Sequence, residues 1–387
     1  MSSSRAERQL ILLSAGTSAR RRVMNEQAGR LVAEVDWPRL VETLRLRRLL
    51  TVLGPRILEL AEERAGEDFA TAVEQAIDAG RRHGAFLQLV SLRVIAMLAE
   101  AGIRCTALKG PLLGEAIYGD PGRRLSSDID LLVSPEQLQA AVEVVRGLGY
   151  GAPTDHVLED GLPLLHFVLV HERGELPPVE LHWRVHWYEQ SFARERLLPP
   201  AVDPLGDWRP APADELAALL LFYARDGFID LRLASDLSAW WDVGGADLPP
   251  GALDELLRAY PALARVIPVA VEVAEQMVGL PAAQIIGEMP RLGLRERMAV
   301  RLANPNPDSS LSQRYADMGL IDGLLMPPGG FGAFVRRQVL PPREVREAQA
   351  RHRARRRPRS FLGRGTGILA RYGLTMTRLM RAPETLR

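Results

Sequence analysis

The segment ALKGPLLGEAIYGDPGRRLSSDIDLLV, residues 107–133, constrains this chain more than any other. The β-rich run IRCTAL (103–108) reaches a turn at Lys109-Gly110, and Pro111 then opens a helix through LLGEAIYG. Proline suits that first helical position because its φ is already near helical and its missing N–H would have had no partner there. DPGRR turns the chain, SSDIDLLV returns as a strand, and Ser134 caps a helix over PEQLQAAVEVVRGLG. Two further β-rich runs follow, LLHFVLVHE (164–172) and PVELHWRVHW (178–187). This order predicts a small α/β domain over 84–190.

Helical patterning surrounds that domain. Residues 24–102 repeat apolar side chains at three and four spacing and stop at Gly102. Residues 1–83 therefore read as an N-terminal helical region. LLPPAVDPLGDWRPAPAD makes 191–212 a proline-rich connector. A second helical domain occupies 213–303, with ELAALLLFYARDGFIDLRLASDLSAWWD as one helical stretch and 252–303 as the next. NPNPDSSLSQ (304–313) is a loop by composition, and 304–387 ends in an arginine-rich tail. The fold class expected is α+β, a small core with a mixed sheet flanked by N-terminal and C-terminal helices.

Composition narrows the setting. With 387 residues the chain can bury a sizeable core. Cys105 is its single cysteine, which excludes an internal disulfide and a multi-cysteine zinc site and fits a reducing, cytoplasmic location. MSSSRAERQLILLSAGTSARRR holds too short an apolar run for a signal-peptide core. The apolar stretches 84–99 and 266–280 are short and interrupted by Gln88 and Arg93, and by Glu272 and Glu275, so no membrane partner is expected. Net charge is +1, yet residues 336–381 hold 14 arginines against Glu344 and Glu347, which leaves the rest of the chain near −11. Such a tail can hold RNA, a phosphate-rich substrate or the acidic body itself. With only Phe361 and Tyr372 as aromatics there, RNA binding should be weak and nonspecific.

Asp128 and Asp130 alternate in an apolar strand, so both carboxylates point to one face, roughly 6.5–7 Å apart along the backbone. Paired carboxylates raise each other's pKa unless a cation lies between them, and Mg2+ prefers such hard oxygen ligands together with substrate phosphates. The plainer alternative is a polar strand edge. Of the 49 lysine and arginine residues one is lysine, Lys109. An ammonium is a compact point charge and a guanidinium a planar fork, so the exception asks for a physical reason other than chance. The helix N-terminus after Gly110 offers free backbone N–H groups to phosphate, and glycine permits close approach. Alternatively the turn is an ordinary one with a solvated lysine.

Leu-Lys-Gly, Tyr118, Asp120-Pro121, Arg124 and Asp128-Ile-Asp-Leu-Leu-Val resemble the bacterial "uncharacterised nucleotidyltransferase" family of the polymerase-beta-like superfamily. The likeness is close over 103–133 and looser through Glu180-Leu-His-Trp and 213–242. It implies that Gly110 belongs to the turn holding nucleotide phosphates, that Asp128 and Asp130 are the paired acids, and that Glu180 is the third. These acids would bind two divalent ions, Mg2+ or Mn2+. The superfamily commonly has Gly-Ser or Gly-Gly at the turn, where this chain has Lys109-Gly110 followed by proline.

Glu180 alternates with His182, so both leave the strand on one side, as ligand face or as surface. His182 and His186, four apart on a strand with no third histidine beside them, do not make a zinc pair. Arg124 either contacts substrate phosphates or balances the aspartates. Tyr223, Asp226, Arg232 and Asp236 are polar positions among core residues and line a groove or a helix surface. The resemblance implies transfer of a nucleotidyl group from an NTP, with ATP as the expected donor, to a hydroxyl or phosphate of a small molecule or natural-product peptide. Two alternatives are a toxin-like enzyme that modifies tRNA or protein, and an inactive nucleotide-binding module. Oligomeric state leaves no mark in the sequence.

Overall fold

The computed structural model describes residues 5–153, 165–189, 191–303 and 311–327. The arginine-rich segment 336–381 lies outside the described residues, as does most of the loop read at 304–313; from Leu311 the chain is already helix.

The sheet is small and mixed. Strands β1 (Cys105–Ala107), β2 (Ile129–Val133), β3 (His166–Leu169) and β4 (Val179–His182) lie in the order β1-β2-β4-β3. β2 runs parallel to β4, while β1 and β3 are antiparallel edges. All five residues of β2 are buried, so both faces of the sheet are covered. Alternation sorts the faces. Ile129, Leu131 and Val133 join Cys105, Val179, Leu181 and Leu169 in one apolar cluster with Leu87, Val90, Val94, Ile95 and Leu98 of α6 (Glu67–Glu100). Ala141, Val142 and Val145 of α8 (Leu138–Arg146) complete that side. The opposite face carries Asp130 and Leu132, and Leu132 belongs to the larger core of the helical regions.

Five helices precede α6: α1 (Arg5–Ser14), α2 (Ser18–Val23), α3 (Asn25–Val32), α4 (Trp37–Leu46) and α5 (Leu50–Ala61). Helix α6 is 34 residues long, so no break in the chain falls at the boundary read at 83/84. The apolar run 84–99 is thus part of a helix that, alone among the described residues, is long and apolar enough to cross a membrane. Its apolar stripe is used internally, against the sheet, α8 and α7 (Pro111–Tyr118). Backbone packs on backbone where α6 meets the turn between α7 and β2. A Cβ at Gly80 would lie 2.3 Å from the Gly122 carbonyl oxygen, and one at Gly84 2.8 Å from that of Pro121. The DPGRR turn is docked on α6 by glycines that sequence patterning reads only as helix interior.

The helical stretch read over 215–242 consists of two helices, α9 (Pro212–Arg225) and α10 (Leu231–Gly244). Gly227 and Phe228 between them have φ of 64° and 60°, left-handed values that end a helix. Likewise 252–303 divides into α11 (Asp254–Ala259), α12 (Val266–Val278), α13 (Ala282–Ile285) and α14 (Leu294–Leu302), and α15 (Leu311–Leu325) packs on α14.

A buried polar clamp ties the helical domain to the sheet domain. Arg124, in the loop before β2, donates from Nε to Asp236 Oδ2 of α10 at 2.8 Å. Tyr118 of α7 donates to Oδ1 of the same carboxylate at 3.0 Å. The side chains of Arg124 and Asp236 are 1% and 0% exposed. Arg124 therefore does not reach toward a phosphate; its charge is enclosed and already neutralised. Removing one partner of a buried pair strands the other charge, at about 3–5 kcal/mol, whereas replacing both with apolar groups is often neutral. Asp236→Ala should lose that much stability in urea unfolding, and Arg124→Met combined with Asp236→Leu should recover most of it. A single variant within 1 kcal/mol of wild type would sink the clamp.

Candidate active site

Pairing register alone gathers the site. Asp130 of β2 lies beside Glu180 of β4 in the parallel ladder, and His166 of β3 lies opposite His182 of β4. Glu180 and His182 are two apart and share a face, so Asp130, Glu180, His182 and His166 all project from the side opposite the α6 cluster. The ladder continues past β1: Leu108 N–H donates to the Asp130 carbonyl at 3.1 Å, which delivers Lys109 to the same edge. The Lys109 ammonium lies 2.9 Å from Asp130 Oδ1, and His182 Nε2 lies 3.0 Å from that oxygen. His182 Nε2 is also 3.2 Å from Glu180 Oε2, and His166 Nε2 is 3.7 Å from it.

An aromatic wall from α9 closes this cluster. Lys109 Nζ stands 5.3 Å from the Phe222 ring centroid, and the Arg225 guanidinium 4.9 Å from the same ring. The His182 ring meets Phe222 edge-on at 6.5 Å and lies 4.6 Å from the His166 ring. Two cations against one ring, with the Asp130 carboxylate on one of them, is a strongly polarised arrangement.

Its electrostatics are unequal across the acids. Burial works to raise Asp130, but Lys109 and the hydrogen bond from His182 outweigh it and hold the carboxyl well below the usual range. Glu180 is also pushed up by burial and yet lowered on balance, chiefly by its bond to His182. Asp128 moves the other way. Burial and the charge of Asp130 raise it, and Lys109 offsets them only partly. Burial and the neighbouring His182 bring His166 down to about 4, so its ring is neutral at ordinary pH. Asp130 Oδ2 and the Nδ1 atoms of His166 and His182 are buried with no hydrogen-bond partner. Buried groups left this way are uncommon and concentrate where a ligand or ion is handled.

The six residues singled out in the sequence fall into two sets. Lys109, Asp130 and Glu180 come together around His182, and Asp128, in the bend before β2, lies near enough that both neighbouring acids raise its pKa. Gly110 caps helix α7 with φ 90° and ψ −152°, a conformation that only glycine adopts without strain. Arg124 alone is drawn away, into the clamp. Of the groove candidates, Asp236 is clamped and Tyr223 is buried with a partnerless hydroxyl. Asp226 is raised by burial beside Arg225, and Arg232 helps lower Asp128.

Histidine supplies what was missed. His186 does turn away from His182; it is buried, and its Nδ1 accepts from Tyr188 N–H at 3.2 Å. A third histidine nevertheless adjoins His182, because β3 returns antiparallel to β4 and brings in His166. One donor atom from each of His166, Glu180 and His182 lies within 4.8 Å of the others. The alternation of His166 with Val168 in HFVL is the only trace of this in the sequence, and pairing register is needed to read it.

A four-stranded mixed sheet with carboxylates on adjacent parallel strands, a glycine turn into a short helix beside them, and helices on both flanks defines a nucleotidyltransferase type of α+β core. The profile of the uncharacterised nucleotidyltransferase family matches residues 33–277, and the chain belongs to that family. The match runs from before α4 almost to the end of α12, so the flanking helices belong to the family's unit as much as the sheet does. No curated protein and no solved structure matches the chain.

Two rings, buried His186 and partly buried His166, make stability depend on pH. Unfolded histidine titrates near about 6.5. In the fold His166 stays neutral to about 4, and burial with Arg225 nearby keeps His186 neutral to about 3. Below the unfolded value the unfolded chain binds more protons than the folded one, so stability falls as pH drops from about 6.5 toward 4, by up to ~1.4 kcal/mol per pH unit for each ring. His186→Gln should flatten that slope by one ring's share in urea titrations across this window. An unchanged slope would show that His186 protonates in the fold.

Proposed function

We propose that this chain is a divalent-metal-dependent nucleotidyltransferase that moves a nucleoside monophosphate from an NTP to a hydroxyl or phosphate of an acceptor. The observation that carries the reading is the Lys109–Asp130 contact at 2.9 Å beside the Gly110 turn. It sets the single lysine, a helix N-terminus and the buried member of the acid pair at one point.

The donor set fits a hard divalent cation. Asp130 keeps Oδ2 buried and unpartnered, and Asp128 has its pKa raised by burial and then by the charge of Asp130, a repulsion that a cation between the two would relieve. Asp128, Asp130 and Glu180 would hold Mg2+ or Mn2+, which would supply charge stabilisation to the reacting phosphate oxygens. The chain's own groups do the rest. The ammonium of Lys109 neutralises oxygens of the β- and γ-phosphates, and backbone N–H groups at the start of α7 add fixed dipoles aimed the same way. A hydroxyl oxygen of the acceptor forms the new bond to the α-phosphorus as the bond to pyrophosphate breaks. One of the site carboxylates takes the hydroxyl proton. Phe222 excludes water from one side of Lys109 and so strengthens each of these interactions.

With ATP as probe, Asp128→Asn and Asp130→Asn should each abolish Mg2+-dependent pyrophosphate release while thermal melts stay cooperative. Lys109→Arg preserves the charge but not its shape. A planar fork cannot occupy the space between Asp130 and the Phe222 ring without shifting the phosphates, and a misplacement of about 1 Å costs on the order of 100-fold in rate. Wild-type turnover in the two asparagine variants would reject the enzyme; wild-type turnover in Lys109→Arg alone would reject the role given to the lysine.

A further inference from the structure

The acid pair and the histidines form two donor sets that differ in chemistry. Asp128 and Asp130 offer oxygen only, and Asp130 Oδ1 is engaged by Lys109. One strand over, His166, Glu180 and His182 offer two imidazoles and one carboxylate, with donor atoms within 4.8 Å of one another. The geometry points to a second cation site at His166, Glu180 and His182, which takes a borderline transition ion of the Zn2+ type in preference to Mg2+. Imidazole nitrogen suits zinc, cobalt, nickel and iron, whereas Mg2+ demands oxygen and sheds its waters reluctantly.

The spacing supports this. With arms of about 2.0–2.1 Å to nitrogen and oxygen, a tetrahedral ion separates its ligand atoms by roughly 3.4 Å. Glu180 Oε2 lies 3.2 Å from His182 Nε2 and 3.7 Å from His166 Nε2, on either side of that figure. The third separation, between the two imidazole nitrogens, is within 4.8 Å, so the rings close toward each other as the ion is seated. Two histidines and a glutamate are also a ligand complement that leaves a fourth position open. His166 is free to serve, because it makes no hydrogen bond among the described residues and is held only by its approach to Glu180 and its contact with His182.

The same geometry sets the strength of the site. The proton on His182 Nε2, now placed between Asp130 and Glu180, must move to Nδ1 when Nε2 binds an ion. Nδ1 of each ring has no acceptor. Ligating histidines ordinarily donate that second N–H to a partner, and loss of such a partner costs about 10–100-fold in metal affinity. The ion is therefore exchangeable, unlike one locked in a closed structural site.

The inference stands apart from the transfer reaction, although Glu180 serves both. Metal-free full-length protein is titrated with Co2+, whose visible ligand-field absorption reports nitrogen-containing low coordination without any turnover, and then challenged with Zn2+ and with Mg2+ in large excess. One equivalent of Co2+ is expected, displaced by Zn2+ and retained against Mg2+. His166→Ala, at a partly exposed position, should keep the fold and weaken Co2+ binding by at least about tenfold. Glu180→Gln should weaken it as well, while Asp128→Asn, which removes only an oxygen donor of the other set, should leave the spectrum and affinity unchanged. Absence of saturable binding, displacement by Mg2+, or loss in Asp128→Asn with no effect of His166→Ala would each overturn the assignment. Loss of ATP turnover in Asp128→Asn alongside an intact Co2+ spectrum would separate the fate of this site from that of the proposed reaction.

Discussion

Asp130 is an ionised carboxylate with a fully buried side chain, and the neighbourhood is organised around making that tolerable. Burying an ion costs several kcal/mol even after relaxation, and the cost is offset only by partners in close and well-directed contact. Lys109 and His182 are those partners, and neither is near Asp130 in the chain; His182 is 52 residues away. Bringing both to one oxygen requires β1 to end beside β2, and β4 to lie parallel to β2 in a register that sets Glu180 next to Asp130. A shift of one residue in that register would turn Glu180 and His182 to the apolar side and Leu181 toward the charges. The charged face thus penalises the wrong pairing as strongly as the apolar face rewards the right one.

A second buried carboxylate does similar work further out. Asp236 collects Tyr118 from α7 and Arg124 from the loop before β2, 112 residues away, and so fixes α10 against the segment that carries the paired acids. The turn between Asp120 and Arg124 is held from the other side by α6, where Gly80 and Gly84 let backbone touch backbone and Arg81 Nε donates to Asp120 at 2.7 Å. Asp128 follows four residues after Arg124. Its half-buried, high-affinity carboxyl is thereby presented from a loop braced on two sides, and rigid placement is what a proton acceptor or an ion ligand needs.

These dependencies explain which parts of the molecule were legible beforehand. Local chemistry is readable: the Lys109-Gly110-Pro111 turn, the strand through Asp130, a helix in the segment after Ser134 (though Ser134 makes no side-chain cap bond and the α-helix starts at Leu138) and the shared side of Glu180 and His182 all follow from propensity and a period of two. The long helix α6 falls within the stretch 24–102 that reads as helical, and the domain boundary at 83/84 cuts through it because the composition changes where Arg81, Arg82 and His83 face solvent. The break at Gly227-Phe228 hid inside an apolar pattern that suits one helix as well as two. Arg124 was misplaced because a loop arginine beside two aspartates invites a local partner, and its partner is on α10. His166 was passed over for a related reason. Its meaning comes from the antiparallel return of β3, which only the pairing of Phe167 with Leu181 and His166 with His182 reveals.

The single lysine can now be weighed against the 48 arginines. Elsewhere arginine is accommodated, as at Arg225, whose guanidinium carbon lies 4.9 Å from the Phe222 ring centroid. At residue 109 the space is bounded by that same ring at 5.3 Å and by Asp130 Oδ1 at 2.9 Å, with His182 already on the oxygen at 3.0 Å. A guanidinium is strongest when its fork meets two acceptor oxygens, and here one oxygen is shared and the other, Oδ2, has no partner at all. An arginine that engaged both would close off Oδ2, the carboxylate oxygen of Asp130 that has no partner. An ammonium binds Oδ1 alone and leaves Oδ2 open. Retention of lysine is therefore what a carboxylate must have if it is to be neutralised on one oxygen and kept available on the other.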